Sequence, residues 1–154
     1  MNASALIADV RARLSAVPRE RLGEWTSSRK VLGIGRAPRI VPAGEAWHLG
    51  VLLIGPDAVA ATGEIVRART EVIRGFTAES QRARAALAAA ARRGGFAEGE
   101  TVHLGWEILD LDVVDAGGTS GPLSVVVGIP QIRWSAGGGI RPLGAYLDEQ
   151  VALR

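Results

Sequence analysis

Residues 46–69 constrain this chain more than any other segment. Two apolar runs are separated there by Gly55-Pro56-Asp57, in which proline presets φ and Asp and Gly supply turn geometry. The pattern predicts a β-hairpin over 46–54 and 58–69. Its first strand is apolar on both faces, with Trp47, Leu49, Val51 and Leu53 on one and Leu52 and Ile54 on the other. A strand of that kind belongs in the middle of a covered sheet. The second strand becomes charged as it reaches Arg67 and Arg69.

The rest of the chain reads as a mixture of helices and short strands. Leu6, Val10, Leu14 and Val17 recur at helical spacing, with Asp9 one turn before Arg13, Ser4 as a cap and Pro18 as a stop. Residues 78–93 are strong helix formers, with Thr77 as a cap, Glu79 at the positive end, Arg92 and Arg93 at the negative end, and Gly94-Gly95 as the stop. The predicted buried stripe is Ala83, Ala86, Leu87 and Ala90. Val102, Leu104, Trp106 and Ile108 alternate as in a half-buried strand, and the parity then switches to Leu109, Leu111 and Val113, which predicts a bulge. Two further strands are expected over 123–127 and 129–135, and Pro142 opens a last helix carrying Leu143, Tyr146, Leu147 and Val151. Between the first helix and the hairpin, Gly23, Gly33, Gly35, Pro38 and Pro42 cut residues 19–42 into short pieces, so this stretch reads as a basic, irregular arm. The expected architecture is one α+β domain over residues 1–154. It has a mostly antiparallel sheet of roughly five to six strands with helices packed on one face.

A chain of 154 residues has the size of one domain and needs no covalent staple. Cysteine is absent, which excludes disulfides, thiolate metal sites and cysteine nucleophiles. At the N-terminus Asp9, Arg11 and Arg13 interrupt the apolar pattern before a signal-peptide core develops. The longest strongly apolar run, 51–54, falls far short of the ~20 residues that cross a bilayer. These features lead to the expectation of a cytoplasmic protein with no membrane partner. Lys30 is the one lysine among 18 basic residues, beside abundant alanine and glycine, a bias typical of high-GC genomes. The isoelectric point of ≈ 9.9 therefore says little beside a net charge of +2. Between Val10 and Arg39 there are eight basic residues and two acidic ones, while after Glu100 there are six acidic and three basic. Opposed ends of this kind attract within one molecule or between two, and a homodimer is expected.

Several residue sets carry chemistry. His-Leu-Gly occurs at His48-Leu49-Gly50 and again at His103-Leu104-Gly105, and these are the two histidines of the chain. With Glu64 or Glu107 they would make a two-histidine, one-carboxylate set suited to a divalent metal. His48, His103 and Glu107 are accordingly the catalytic candidates. The plainer reading is two half-buried strand residues and no resident metal or cofactor. Ser135, Gly137, Gly138, Gly139 and Arg141 lie in a glycine loop between a predicted strand and a predicted helix, where backbone N–H groups cradle anions. The loop lacks the Lys-Ser/Thr ending of a phosphate loop, and Gly33-Ile34-Gly35 is a weaker version of the same idea. Arg67, Arg69, Arg74, Arg82 and Arg84 form a second anion candidate, partly neutralised by Glu64, Glu71 and Glu79. Nucleic acid is disfavoured there, because aromatic residues make up only 5% of the chain and none alternates with these arginines as a stacking platform requires. Ser27-Ser28-Arg29-Lys30 fits Ser-x-x-Lys without the companion motifs of enzymes that use it. Asp110, Asp112 and Asp115 offer oxygen ligands without an EF-hand pattern and read as a solvated strand end.

Ile40-Val41-Pro42-Ala43-Gly44-Glu45-Ala46-Trp47-His48-Leu49-Gly50-Val51-Leu52, together with Gly75-Phe76-Thr77-Ala78-Glu79-Ser80-Gln81-Arg82-Ala83-Arg84, resembles a small family of uncharacterised proteins from high-GC bacteria. The resemblance runs through most of the chain. Some members carry an automatic name of glutaminase, which implies an amide hydrolase as the enzymatic alternative. Serine-dependent glutaminases are much longer chains, and no catalytic residue carries over. The expectation drawn from the sequence is a binding or accessory protein for a small anion. The alternatives are an amide or metal-dependent hydrolase, and a partner-binding module working through the basic arm or a nucleic-acid-binding one.

Overall fold

The computed structural model describes residues 1–26, 37–70 and 78–154. In chain order the elements are α1 (Ala3–Arg13), β1 (Glu20–Thr26), β2 (Arg39–Leu49), β3 (Leu52–Ile54), β4 (Val59–Ala61), β5 (Glu64–Arg67), α2 (Glu79–Arg93), β6 (Thr101–Leu104), β7 (Glu107–Ile108), α3 (Leu111–Asp115), β8 (Leu123–Val126), β9 (Ile129–Arg133), β10 (Ile140–Pro142) and α4 (Leu143–Ala152). Seven strands hydrogen-bond in the order β5-β6-β1-β2-β3-β4-β7, and three more in the order β10-β9-β8.

The chain divides into two compact units. The first comprises Met1–Arg19, Ala46–Thr62 and Trp106–Arg154. Its core joins Ile7, Val10 and Leu14 of α1 to Leu49, Leu52 and Ile54 of the hairpin, to Leu123 and Ile132 of the three-stranded sheet, and to Leu143 and Leu147 of α4. The expected hairpin turn at Gly55-Pro56-Asp57 is present, with Ile54 opposite Val59 and the Gly55 N–H donating to the Ala58 carbonyl at 2.8 Å. The long first strand is not. Gly50 adopts φ 63° and reverses the chain, so that Leu49 pairs with Leu52 and the apolar run becomes the β2–β3 hairpin. Tyr146 of α4 fixes this turn: its hydroxyl accepts from the Val51 N–H at 2.8 Å and donates to the Leu49 carbonyl at 2.9 Å. The second predicted strand is likewise cut at Thr62-Gly63 into β4 and β5.

The second unit comprises Glu20–Glu45 and Gly63–Gly105. Ile40, Val66, Ala90, Ala91, Phe96, Val102 and Leu104 form its core. β1 falls inside the predicted irregular arm and pairs parallel with β6, Arg21 opposite Val102 and Leu22 opposite His103. β5 pairs antiparallel with the other edge of β6. The sheet is therefore mixed, with more strands than expected and with a separate three-stranded sheet beside it. The helices divide between the units, α1, α3 and α4 in the first and α2 in the second. The α+β class holds, and the sheet is mixed rather than wholly antiparallel: among the described residues β1 pairs with β6 in parallel, while β5–β6, β2–β3, β3–β4 and β4–β7 are antiparallel.

Three local expectations are also corrected. Asn2, not Ser4, caps α1, its Oδ1 accepting from the Ala5 N–H at 2.9 Å. Of the predicted α2 stripe, Ala90 is buried and Leu87 packs against the core, whereas Ala83 and Ala86 are exposed and Ala89 and Ala91 are buried instead. The segment after Ile108 is no bulged strand, because Asp110 accepts from the Val113 N–H at 3.1 Å and caps α3. Thr77, Ser27, Lys30, Gly33, Gly35 and Arg74 lie outside the described residues. No helix among the described residues is long and apolar enough to cross a membrane.

Candidate ligand cavity

The first unit holds an open cavity of about 450 Å³ built from four segments: α1, the β3–β4 turn, β7 and the start of α3. Ser4 and Arg11 lie two turns apart on α1 and so share a face. The Ser4 hydroxyl and N–H both donate to the Asp115 carboxylate, the latter at 3.3 Å. Arg11 is anchored by one bond, Nε to the Gly55 carbonyl at 2.8 Å. Val59 and Leu109 form a buried apolar floor, joined by the Leu109 N–H to Val59 carbonyl bond of 2.8 Å, and Ile108 stands at the rim, 61% exposed.

Asp57, Asp110 and Asp112 complete the lining. Asp57 comes from the hairpin turn, and Asp112 occupies the first turn of α3, where the helix dipole favours a carboxylate. Asp110 uses Oδ1 for its cap and donates its N–H to Ser120 Oγ at 2.8 Å. Arg11 forms no ion pair with any of the three, so one guanidinium and three carboxylates line the same space without neutralising one another. A guanidinium carries five N–H donors, and the Gly55 bond occupies one. Chemically, the cavity can pair an anionic group with Arg11 and cationic groups with the aspartates at once.

None of the catalytic or anion-binding candidates read from the sequence lines this cavity. His48 lies on β2 in the first unit, opposite Leu53, with Nε2 2.8 Å from the Gly50 carbonyl oxygen, and the Arg154 guanidinium donates to the His48 carbonyl. His103 is buried on β6 in the second unit. Its Nε2 stands 3.4 Å from Oε2 of Glu20 on the neighbouring strand β1, a carboxylate that the sequence reading did not single out. Glu64 is exposed on β5 and Glu107 exposed on β7.

The glycine loop connects two strands rather than a strand and a helix. Its turn uses its own backbone: the Gly138 N–H donates to the Ser135 carbonyl at 3.1 Å, the Gly139 N–H to Ser135 Oγ at 3.3 Å, and the Trp134 N–H to the Gly139 carbonyl at 3.0 Å. Arg141 pairs with Glu149 and lies over the Tyr146 ring, 6.0 Å from its centre. Arg67, Arg69 and Arg82 are exposed in the second unit. Near Arg69, the Thr70 N–H and hydroxyl donate to Glu98 at 2.8 and 3.0 Å, and these bonds, reinforced by Arg92 and Arg69, hold its carboxyl below the usual range.

Arg11 and Asp57 carried no functional signal in the sequence. Arg11 was one of many arginines, and Asp57 had a sufficient explanation as a turn former. Asp110 and Asp112 were noticed, but only folding makes them neighbours of residue 11. No family model matches the chain, and no curated protein or solved structure matches it, so its chemistry stands on its own geometry.

Proposed function

We propose that the protein is a small-molecule binding protein whose site is the first-unit cavity, and that its ligand carries both an anionic and a cationic group. The observation that carries this reading is the set of opposite charges, Arg11 against Asp57, Asp110 and Asp112, which share one cavity and do not pair. A bare anion, the ligand expected from the sequence, would meet three carboxylates for one guanidinium. An amine-rich zwitterion, such as a basic amino acid or an amino sugar acid, satisfies both signs. The apolar floor of Val59 and Leu109 suits a short alkyl stem between the charged ends.

Titration of the full chain with lysine, ornithine and arginine, against sulfate and citrate, tests the reading by amide chemical shifts. The zwitterions shift residues 57–59 and 108–112 saturably and the simple anions do not. Arg11→Ala and Asp112→Asn each weaken binding about tenfold, or ~1.4 kcal/mol, with the fold retained. Absence of saturable binding by any amine-bearing ligand, or undiminished binding by both variants, would sink it. An amide-hydrolase role has less support in this cavity, where the Ser4 hydroxyl is held by Asp115 and no histidine is among the lining residues.

A further inference from the structure

Val127 is the one non-glycine residue with a positive φ, 50°, among the described residues, and it is 94% exposed. It forms the tip of the β8–β9 hairpin with Gly128 at φ 73°. Two central residues at positive φ are the mark of a two-residue hairpin turn whose first position favours Asn, Asp or Gly. A β-branched side chain is among the least suited to that conformation. Nothing inside the unit repays the strain, because the side chain touches water on nearly all sides. Val126 and Ile129, opposite each other beside the tip, are exposed at 52% and 53%.

The edge beside the tip is open. Leu123 turns both its N–H and its carbonyl to Ser120, at 3.0 Å each, and the Pro122 carbonyl accepts from the Arg133 N–H at 2.9 Å. Backbone groups alternate in direction along a strand, so Ser124 and Val126 bond to β9 while Val125 faces its N–H and carbonyl outward, where β8 ends the sheet. Natural edges are usually blocked by lysine, proline or a bulge. This one carries none on Ser124, Val125, Val126 or Val127.

Charge decides the occupant. Between Asp115 and Arg133 the chain has no charged residue, so the edge has no attraction for an anionic membrane surface and nothing to complement a charged partner strand. A strand that is itself uncharged and valine-rich, and that meets β8 antiparallel about a two-fold axis, places Val125 opposite Val125 with no like-charge clash. We infer that β8 and the Val127 tip are the self-association surface of this chain, pairing with β8 of a second copy.

Sedimentation of the full-length protein over a concentration series tests this, with two variants. Val126→Lys puts a cation on the exposed outer position of the edge without touching the core. Val127→Asn relieves the strain. The native chain is expected to sediment as a dimer that dissociates on dilution. Val126→Lys is expected to stay monomeric at an unchanged melting temperature, and monomeric Val127→Asn to melt a few degrees higher than the dissociated native chain. A native chain that is monomeric throughout, a Val126→Lys variant that still dimerises, or a Val127→Asn variant no more stable than the native chain each overturns the proposal.

Discussion

At the scale of single residues, Tyr146 shows how one polar atom can hold a turn that local sequence would not choose. Its hydroxyl bridges the two backbone groups either side of Gly50, and a Cβ on residue 50 would lie 1.9 Å from that oxygen. Tyr146→Phe strands the Val51 N–H and the Leu49 carbonyl and is expected to cost about 1–3 kcal/mol in chemical denaturation. Burial raises the Tyr146 phenol above its ordinary range, with the Val51 N–H opposing the shift. A group whose neutral form is favoured by the fold stabilises fully below the ordinary tyrosine value of about 10 and loses that contribution as pH rises through the raised folded value. Tyr146 is the only tyrosine, so phenolate absorbance reads it alone. The expected midpoint is above that of the unfolded chain, and a midpoint at or below it would contradict the burial of the phenol. The sequence showed Tyr146 as an apolar stripe residue and Gly50 as half of a repeated triplet. Their partnership was illegible because it joins positions 95 residues apart through one hydroxyl.

Among elements, β1 is the instructive case. Its residues alternate poorly, and glycines and prolines nearby argued for an irregular arm. It is a strand because β6 supplies its ladder and because Gly23 lets it lie flat against the core. A Cβ there would meet Ile40 Cγ2 at 2.6 Å and Val102 Cγ1 at 2.7 Å. Gly23→Ala is therefore expected to overpack the second core and cost about 1–3 kcal/mol, measured by urea unfolding. A neutral result would mean that Ile40 and Val102 can move aside. By contrast β8, β9, α2 and α4 were legible as elements from the sequence, since residue propensity and the flanking chain breakers agree locally there. Parallel pairing of β1 with a strand some eighty residues later leaves no such local trace.

For the molecule as a whole, the buried apolar residues fall into two clusters, one in each compact unit. Phe96 is fully buried in the second core and Arg21 stacks over its ring at 4.9 Å while pairing with Glu100 at 3.3 Å. Phe96→Ala is expected to cost about 3–5 kcal/mol. Hydrogen exchange should show the lost protection concentrated in residues 20–45 and 63–105, and uniform loss along the chain would count against separate cores. The candidate cavity depends on the same kind of long-range assembly, since residues 4, 11, 57 and 108–112 come together only after the first core forms. Charge counts pointed toward basic patches and anions, whereas the cavity is acidic on balance, because folding selects which few charges share a surface.

Val127 has a consequence for how this chain can change. Every valine codon becomes a glycine codon by one substitution in its middle base, T to G, and that is the direction in which a GC-rich mutational bias pushes. Glycine at residue 127 would remove the strain in the hairpin tip at a single step. Where folding stability alone is the selected trait, libraries at this position should drift to glycine and asparagine. Where the associated form is required, they should hold an aliphatic residue, so the ranking of variants separates what the fold prefers from what its use requires.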